Sequence, residues 1–263
     1  MSQHEYTGRA PARGPSWIVD GLVWLLVAMT VGLNIAFALA DSANLADIAV
    51  ASVYVFFLAS LIHAAHHRGV GGFLLVGVVV PVIGWVAEAI GTRSGWPFGD
   101  YDYHEVLGPM LGDVPVVVPL AWAMMAYPTY VAAYRLADRR WLIALIGGWS
   151  MMAWDLFLDP MMVELGAWSW QPTGTTVTKF SGVPLQNFAG WFGVGVVVIA
   201  VLSFMPRPRA TIAQPAFLYL WVFVSSVIGN AFFVDRPEVA LVGGIAMGLV
   251  ALPFAWRLWT NRR

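Results

Sequence analysis

Apolar residues run in long unbroken stretches along this chain, and polar residues gather in short intervals between them. Stretches of the roughly 20 residues needed to cross a bilayer cover 17–40, 44–64, 71–91, 115–135, 141–159, 185–205, 213–233 and 238–258. The pattern predicts an all-α, polytopic membrane bundle of eight transmembrane helices. Residues 1–16, rich in Gly, Ala and Arg, read as a disordered tail, 17–259 as a single transmembrane domain and 260–263 as a second tail. Two connections exceed what a turn requires, 92–114 and 160–184, and both are rich in Gly, Pro, Trp and Tyr. Such composition predicts folded caps at the membrane interface.

Composition agrees. Of 263 residues, 59% are hydrophobic and 11% charged, against about 25% charged in a soluble domain. Cytoplasmic connections carry an excess of Lys and Arg, so charge placement sets the orientation. With the N-terminus inside, Arg9, Arg13, Arg68, Arg135, Arg139, Arg140, Arg207, Arg209, Arg257, Arg262 and Arg263 fall inside, and only Arg93, Lys179 and Arg236 fall outside. Both termini are therefore expected in the cytoplasm, in a multi-pass protein of the cell membrane. Ala38-Leu39-Ala40 has the look of a signal-peptidase site, but the apolar run before it is long, which favours a first transmembrane helix ending in small residues.

Against this background three acids stand out. Asp155 and Asp159 lie one helical turn apart inside an apolar segment, and Glu88 lies inside another. An ionised carboxylate at the bilayer centre costs roughly 2.5–3.5 kcal/mol on insertion scales, and residues that bear this cost are usually functional. No intramembrane Lys or Arg is placed to pair with them, so they are expected to be wholly or partly protonated. At a rise of about 1.5 Å per residue, Glu88 sits roughly 25 Å from the inner face, Asp155 about 21 Å and Asp159 about 27 Å. Asn34, Asn187 and Asn230 reach similar outer levels, while the inner half is mostly Val, Leu, Ala and Trp. A deep apolar slot, closed inside and polar at its outer mouth, is the shape this predicts.

Structural roles compete with chemical ones. Pro160 disfavours helical backbone at the preceding residue, so helix five is expected to end or kink at Asp159, which would then cap a short following helix containing Glu164. Asp155 could serve only to bond an Asn or Trp on a neighbouring helix, and Glu88 to snorkel or cap near the interface. Pro81 marks a kink in helix three. Most tryptophans are expected to pack or to anchor at the interface.

The segments around these acids form an ordered set: Gly95-Trp96-Pro97-Phe98-Gly99-Asp100-Tyr101-Asp102-Tyr103, Leu107-Gly108-Pro109, Val114-Pro115, Pro119-Leu120-Ala121-Trp122, Ala153-Trp154-Asp155-Leu156-Phe157-Leu158-Asp159-Pro160-Met161, Gly166-Ala167-Trp168-Ser169-Trp170 and Gly182-Val183-Pro184-Leu185-Gln186-Asn187-Phe188-Ala189-Gly190-Trp191. In order and spacing they resemble the membrane carotenoid hydratase family, of the bisanhydrobacterioruberin hydratase and carotenoid 1,2-hydratase type. The likeness covers about residues 80–195. It implies a lyase of carotenoid biosynthesis that adds water to a terminal isoprenoid double bond and gives a tertiary alcohol, acting on an acyclic carotenoid within the bilayer. Bacterioruberin-type products belong to the same implication.

The chemistry suits the residues without any cofactor. Markovnikov hydration needs a strong acid to protonate the less substituted carbon, a means of steadying the tertiary cation, and a water to capture it. Carboxyls at i and i+4 face the same way and can share one proton. Asp155 is assigned as proton donor and Asp159 as its ionised partner, in a choice that chemistry leaves nearly even. Glu88 is a supporting or alternative acid. Trp85, Trp122 and Trp154 would offer π-faces to a cation, with Tyr101, Tyr103, Asn187 and Trp191 completing the substrate site.

Other signals are weaker. The chain has no Cys, which excludes thiolate catalysis and iron–sulfur clusters, and its five His are too few for the several clusters of a membrane di-iron site. His63, His66 and His67 therefore read as a hydrogen-bonded or interfacial group beside Arg68, and no metal is expected. The lone Lys179 falls in a loop, which excludes a retinal Schiff base of the usual kind. Asp100, Asp102, Glu105 and Asp113 could hold a divalent cation, but a solvated acidic loop is favoured. No basic stripe suits nucleic acid. Rival readings are a membrane lycopene cyclase using the same protonation, a proton-coupled transporter, or a passive carotenoid-binding protein. Transporters usually show repeated halves, and none is apparent here. Other enzymes of carotenoid synthesis would be natural neighbours in the membrane.

Overall fold

The computed structural model describes residues 16–171, 182–205 and 211–260. The expected N-terminal tail up to residue 15, Lys179 and its loop, Arg207, Arg209 and the tail beyond Thr260 lie outside the described residues.

Helices form where the apolar runs predict them. They are α1 (Ser16–Leu39), α2 (Leu45–Leu74), α3 (Val80–Ser94), α4 (Val117–Leu136), α5 (Arg140–Glu164), α6 (Leu185–Leu202), α7 (Ala213–Phe232) and α8 (Pro237–Thr260). The chain is a helical membrane bundle. Large apolar side chains such as Trp17, Leu25, Leu241, Leu249 and Trp256 face outward, as lipid contact requires.

The expected break between the second and third spans is a sharp corner at Gly69, whose φ of 70° and ψ of −157° lie where only glycine sits comfortably. Beyond it the helix continues through a π-helical turn, Leu75–Val79, into α3. The Val80 amide donates to the Leu75 carbonyl, five residues back, and Pro81 follows at the start of α3. A proline has no amide to donate and crowds the preceding turn, so the widened turn is the local form that Pro81's kink takes.

Among the described residues, six helical runs are long and apolar enough to cross a membrane: Trp17–Leu39, Leu45–Ser94, Arg140–Glu164, Leu185–Leu202, Ala213–Phe232 and Pro237–Thr260. The second has 50 residues and bends at Gly69. The exception is α4, which carries Tyr127, Tyr130, Thr129 and Ser60's acceptor Met124 through the middle of the bundle. It touches α2, α3, α5, α6, α7 and α8 and is buried along most of its length.

Helix five overrides one expectation. It runs to Glu164 with Pro160 inside it, so Asp159 neither ends the helix nor caps another. Proline is tolerated within membrane helices when neighbouring packing offsets the lost bond, and here both Asp159 and Pro160 are buried.

In their described parts, the two long connections are joined to each other. Strand β1 (Tyr101–Tyr103) pairs antiparallel with β4 (Trp168–Trp170), matching Tyr101 to Trp170 and Tyr103 to Trp168. A smaller hairpin joins β2 (Met110–Leu111) to β3 (Val114–Pro115). These strands are the departure from an all-α chain, and they lie at the end of the bundle where α3 and α5 finish.

Contact between α5 and α6 is tight. A methyl group at Gly148 would come within 2.8 Å of the Val196 amide nitrogen, so only a hydrogen there lets the two helices approach closely, as small residues do at membrane-helix contacts.

Candidate active site

That approach brings α6 against the acidic turn of α5. Asn187 Nδ2, in the first turn of α6, donates to Asp155 Oδ2 at 2.7 Å and also to Asp159 Oδ2. The two carboxyls lie within hydrogen-bonding reach of each other, and the Trp168 side chain reaches Asp159. All three polar residues of this bridge are at most 2% exposed. Asp155 Oδ1 is buried and accepts from no N–H or hydroxyl donor among the described residues.

Glu88 occupies a separate cradle. Tyr101 and Tyr103 donate their hydroxyls to its Oε2 at 2.5 and 2.8 Å, and Trp122 Nε1 donates to Oε1 at 2.9 Å. At 3% exposure it neither snorkels nor caps. Burial, and then the adjoining Glu88 carboxyl, push both phenols well above the ordinary tyrosine range, so they remain neutral donors. Among the described residues, no ion pair joins Glu88, Asp155 or Asp159 to a cation.

Both groups border one cavity of about 540 Å³, within the ~300–1,000 Å³ usual for small-molecule sites. Glu88, Asp159, Asn187, Tyr101, Tyr103, Trp122, Trp154 and Trp191 line it. Asp155 stands behind Asp159 rather than at the surface of the cavity. Trp85 is elsewhere: its indole donates to the Leu111 carbonyl at 3.1 Å and steadies the β2–β3 hairpin. The aromatic wall is ordered, with Trp122 stacked on Trp191 and Trp154 edge-on to Trp191.

Sequence reasoning missed several wall residues. Phe98, Trp168 and Trp170 line the cavity, and all three lie in the aromatic segments quoted above. Asn34, Asn187 and Asn230, placed at one level by helical rise, do meet at this cavity. The expected deep slot takes the form of a chamber that carries apolar walls and the polar groups together. Among its walls are Phe56 on α2, Met124 on α4, Trp154 on α5 and Val222 on α7.

Other candidates are accounted for by local bonds. His63 Nδ1 pairs with the Tyr127 hydroxyl at 2.8 Å and His67 with Asp20 at 2.8 Å. Arg68 donates to Tyr127 and lies over the Tyr130 ring. In the outer loop, Asp113 pairs with Arg93 and Asp102 accepts from Gln171.

Residues 43–253 match the family model described as carotenoid biosynthesis protein. Over 202 residues the chain is 30% identical to bisanhydrobacterioruberin hydratase of Haloarcula japonica, covering 70% of this chain and 62% of that relative. The chain thus spans less than two thirds of that relative's length. No solved structure matches it.

Proposed function

The chain belongs to the carotenoid biosynthesis protein family, and from that premise we propose that it hydrates a terminal isoprenoid double bond of an acyclic carotenoid by acid catalysis. The observation that carries this is the Asp155–Asp159 pair, bridged by Asn187 at the wall of an aromatic chamber. The hydratase name of the Haloarcula relative supports the same reading.

We assign the roles by position. Asp159 borders the chamber and is the proton donor, while Asp155 behind it shares the proton and restores it. This exchanges the parts that sequence alone gave the two residues. The alkene π pair takes the proton from Asp159 at the less substituted carbon, leaving a tertiary cation. The indole faces of Trp122, Trp154 and Trp191 steady that cation. A water oxygen then forms the C–O bond, and its surplus proton returns to the carboxyl pair, so the net change is one water added. No cofactor takes part in this scheme. Glu88 already accepts three donors, which suits a positioning residue for Tyr101, Tyr103 and Trp122 better than an acid.

The chamber suits an end group and its first isoprenoid units, with the rest of the polyene in the bilayer. We place the protein in the cell membrane with eight passes, both termini cytoplasmic and the chamber toward the outer face. The basic residues of the short connections support that orientation, and the Gly69 corner and central α4 supply the passes beyond the six apolar runs.

Expression in a host that accumulates an acyclic carotenoid tests the function. Pigments heavier by one or two waters are expected. Unchanged mass with a shifted absorption spectrum would mean cyclisation, and unaltered pigment in cells that make the protein and hold a suitable substrate would sink the enzyme reading.

A further inference from the structure

The chamber has a second polar region that the acid chemistry leaves unused. Asn34 on α1, Ser52 on α2, and Ser226 and Asn230 on α7 all line it. Asn34 is fixed: its Nδ2 donates to Ser52 Oγ at 2.9 Å and its Oδ1 accepts from Trp221 at 2.9 Å. Asn230 is different. Its Nδ2 donates to the Ser226 carbonyl at 2.9 Å, but its Oδ1 is buried and meets no donor among the described residues. The residue is only 6% exposed. A buried acceptor without a partner is costly, and water is the usual remedy where a cavity is polar and roomy enough.

We infer that this amide–hydroxyl region holds the water that captures the cation, with Asn230 as its positioning residue. Three features carry the inference. A water needs two to four polar partners, and here amide and hydroxyl groups from three helices converge on otherwise apolar walls such as Phe37, Val53, Phe56 and Val222. The chamber's volume of about 540 Å³ leaves room for several waters, at about 30 Å³ each, beside an isoprenoid end group. One edge of the chamber also reaches the protein surface. Glu164 lines the chamber while its side chain is 58% exposed, and it pairs with Arg236, whose backbone amide donates to the Asn230 carbonyl at 2.8 Å.

This inference rests on the proposed hydration and can fail separately from it. Without a held water, protonation still proceeds, and a cation that is not captured returns a proton from an adjacent carbon to the carboxyl pair, re-forming an alkene of unchanged composition. In D2O that return leaves deuterium in the recovered substrate. The test is therefore to incubate wild-type and Asn230→Leu protein, in membranes suspended in D2O, with an acyclic carotenoid, and to read hydrate and deuterated alkene by mass. Asn230→Leu should lower hydrate about tenfold or more while alkene deuteration persists or rises. Ser226→Val should shift the same ratio in the same direction, and it carries the test if Asn230→Leu fails to fold. Hydrate and deuteration falling together in folded variants, or hydrate unchanged, would overturn the role of Asn230. Wild-type protein that forms neither hydrate nor deuterated alkene would overturn the hydratase reading, and this inference with it.

Discussion

Trp122 and Trp191 stack with ring centroids 3.9 Å apart and planes 12° from parallel. They come from α4 and α6, so the stack ties the central helix to the one that supplies Asn187. Because Trp122 also donates to Glu88, the aromatic wall is continuous with the acid's cradle. Two stacked π-systems offer a cation in the chamber more electron density than either alone, and neither ring is itself charged.

Replacing Trp191 tests that use of the wall. Trp191→Phe keeps a ring and should retain most turnover. Trp191→Leu removes it and should slow product formation about tenfold, the rate equivalent of a cation–π contact of about 1.4 kcal/mol. Equal rates in the two variants, measured as product per unit of protein, would mean that the ring only fills space.

The carboxyl pair makes an asymmetric prediction. Asp159→Asn removes the group that borders the chamber and should reduce hydration by about a hundredfold or more, as expected for loss of a general acid. Asp155→Asn leaves Asp159 in place and should be milder. Pigment analysis beside immunodetection of the membrane-inserted protein separates the two effects, and full activity in Asp159→Asn would remove the assignment.

Asn187 is expected to matter for stability as well as for rate. In Asn187→Leu both carboxyls lose their amide donor, and leaving buried polar groups without a partner costs about 1–3 kcal/mol. Thermal unfolding of the detergent-solubilised protein should shift downward, with hydration falling alongside. An unaltered melting temperature would show that the bridge contributes little to the folded state.

A substitution remote from the chamber should act through the same amide. Gly148→Val inserts a branched side chain where α6 backbone lies against α5, and such overpacking costs about 1–3 kcal/mol. Separating the helices moves Asn187 away from both acids, so hydration should fall even though no chamber residue has changed. Wild-type activity in folded Gly148→Val protein would argue against helix spacing as the control.

Much of this was readable from the chain. Apolar length placed most helices to within a few residues, the boundary between α2 and α3 excepted, and the cost of charge in lipid singled out Glu88, Asp155 and Asp159. What could not be read depends on how helices meet. Nothing local in Asn187 says that it bonds two residues of another helix, because that follows from the α5–α6 spacing set at Gly148. Composition groups Trp85 with Trp122, yet its indole donates to a carbonyl of the β2–β3 hairpin. Pro160 misled because the rule for the preceding residue is a local preference, and burial of that turn outweighs it. How far the slot runs is set by packing in the same way, since α4 is buried along most of its length at the centre of the bundle.

The pairing of β1 with β4 has a consequence for how the molecule is assembled. Tyr101 and Tyr103 enter with the first half of the chain, Trp168 and Trp170 with the second, and the short turn at 137–139 separates them. A gene cut at that turn would yield two pieces, each bearing one strand of the clasp and neither a complete set of acids. Such halves carry the means to find one another in a membrane, and catalysis would report their reunion.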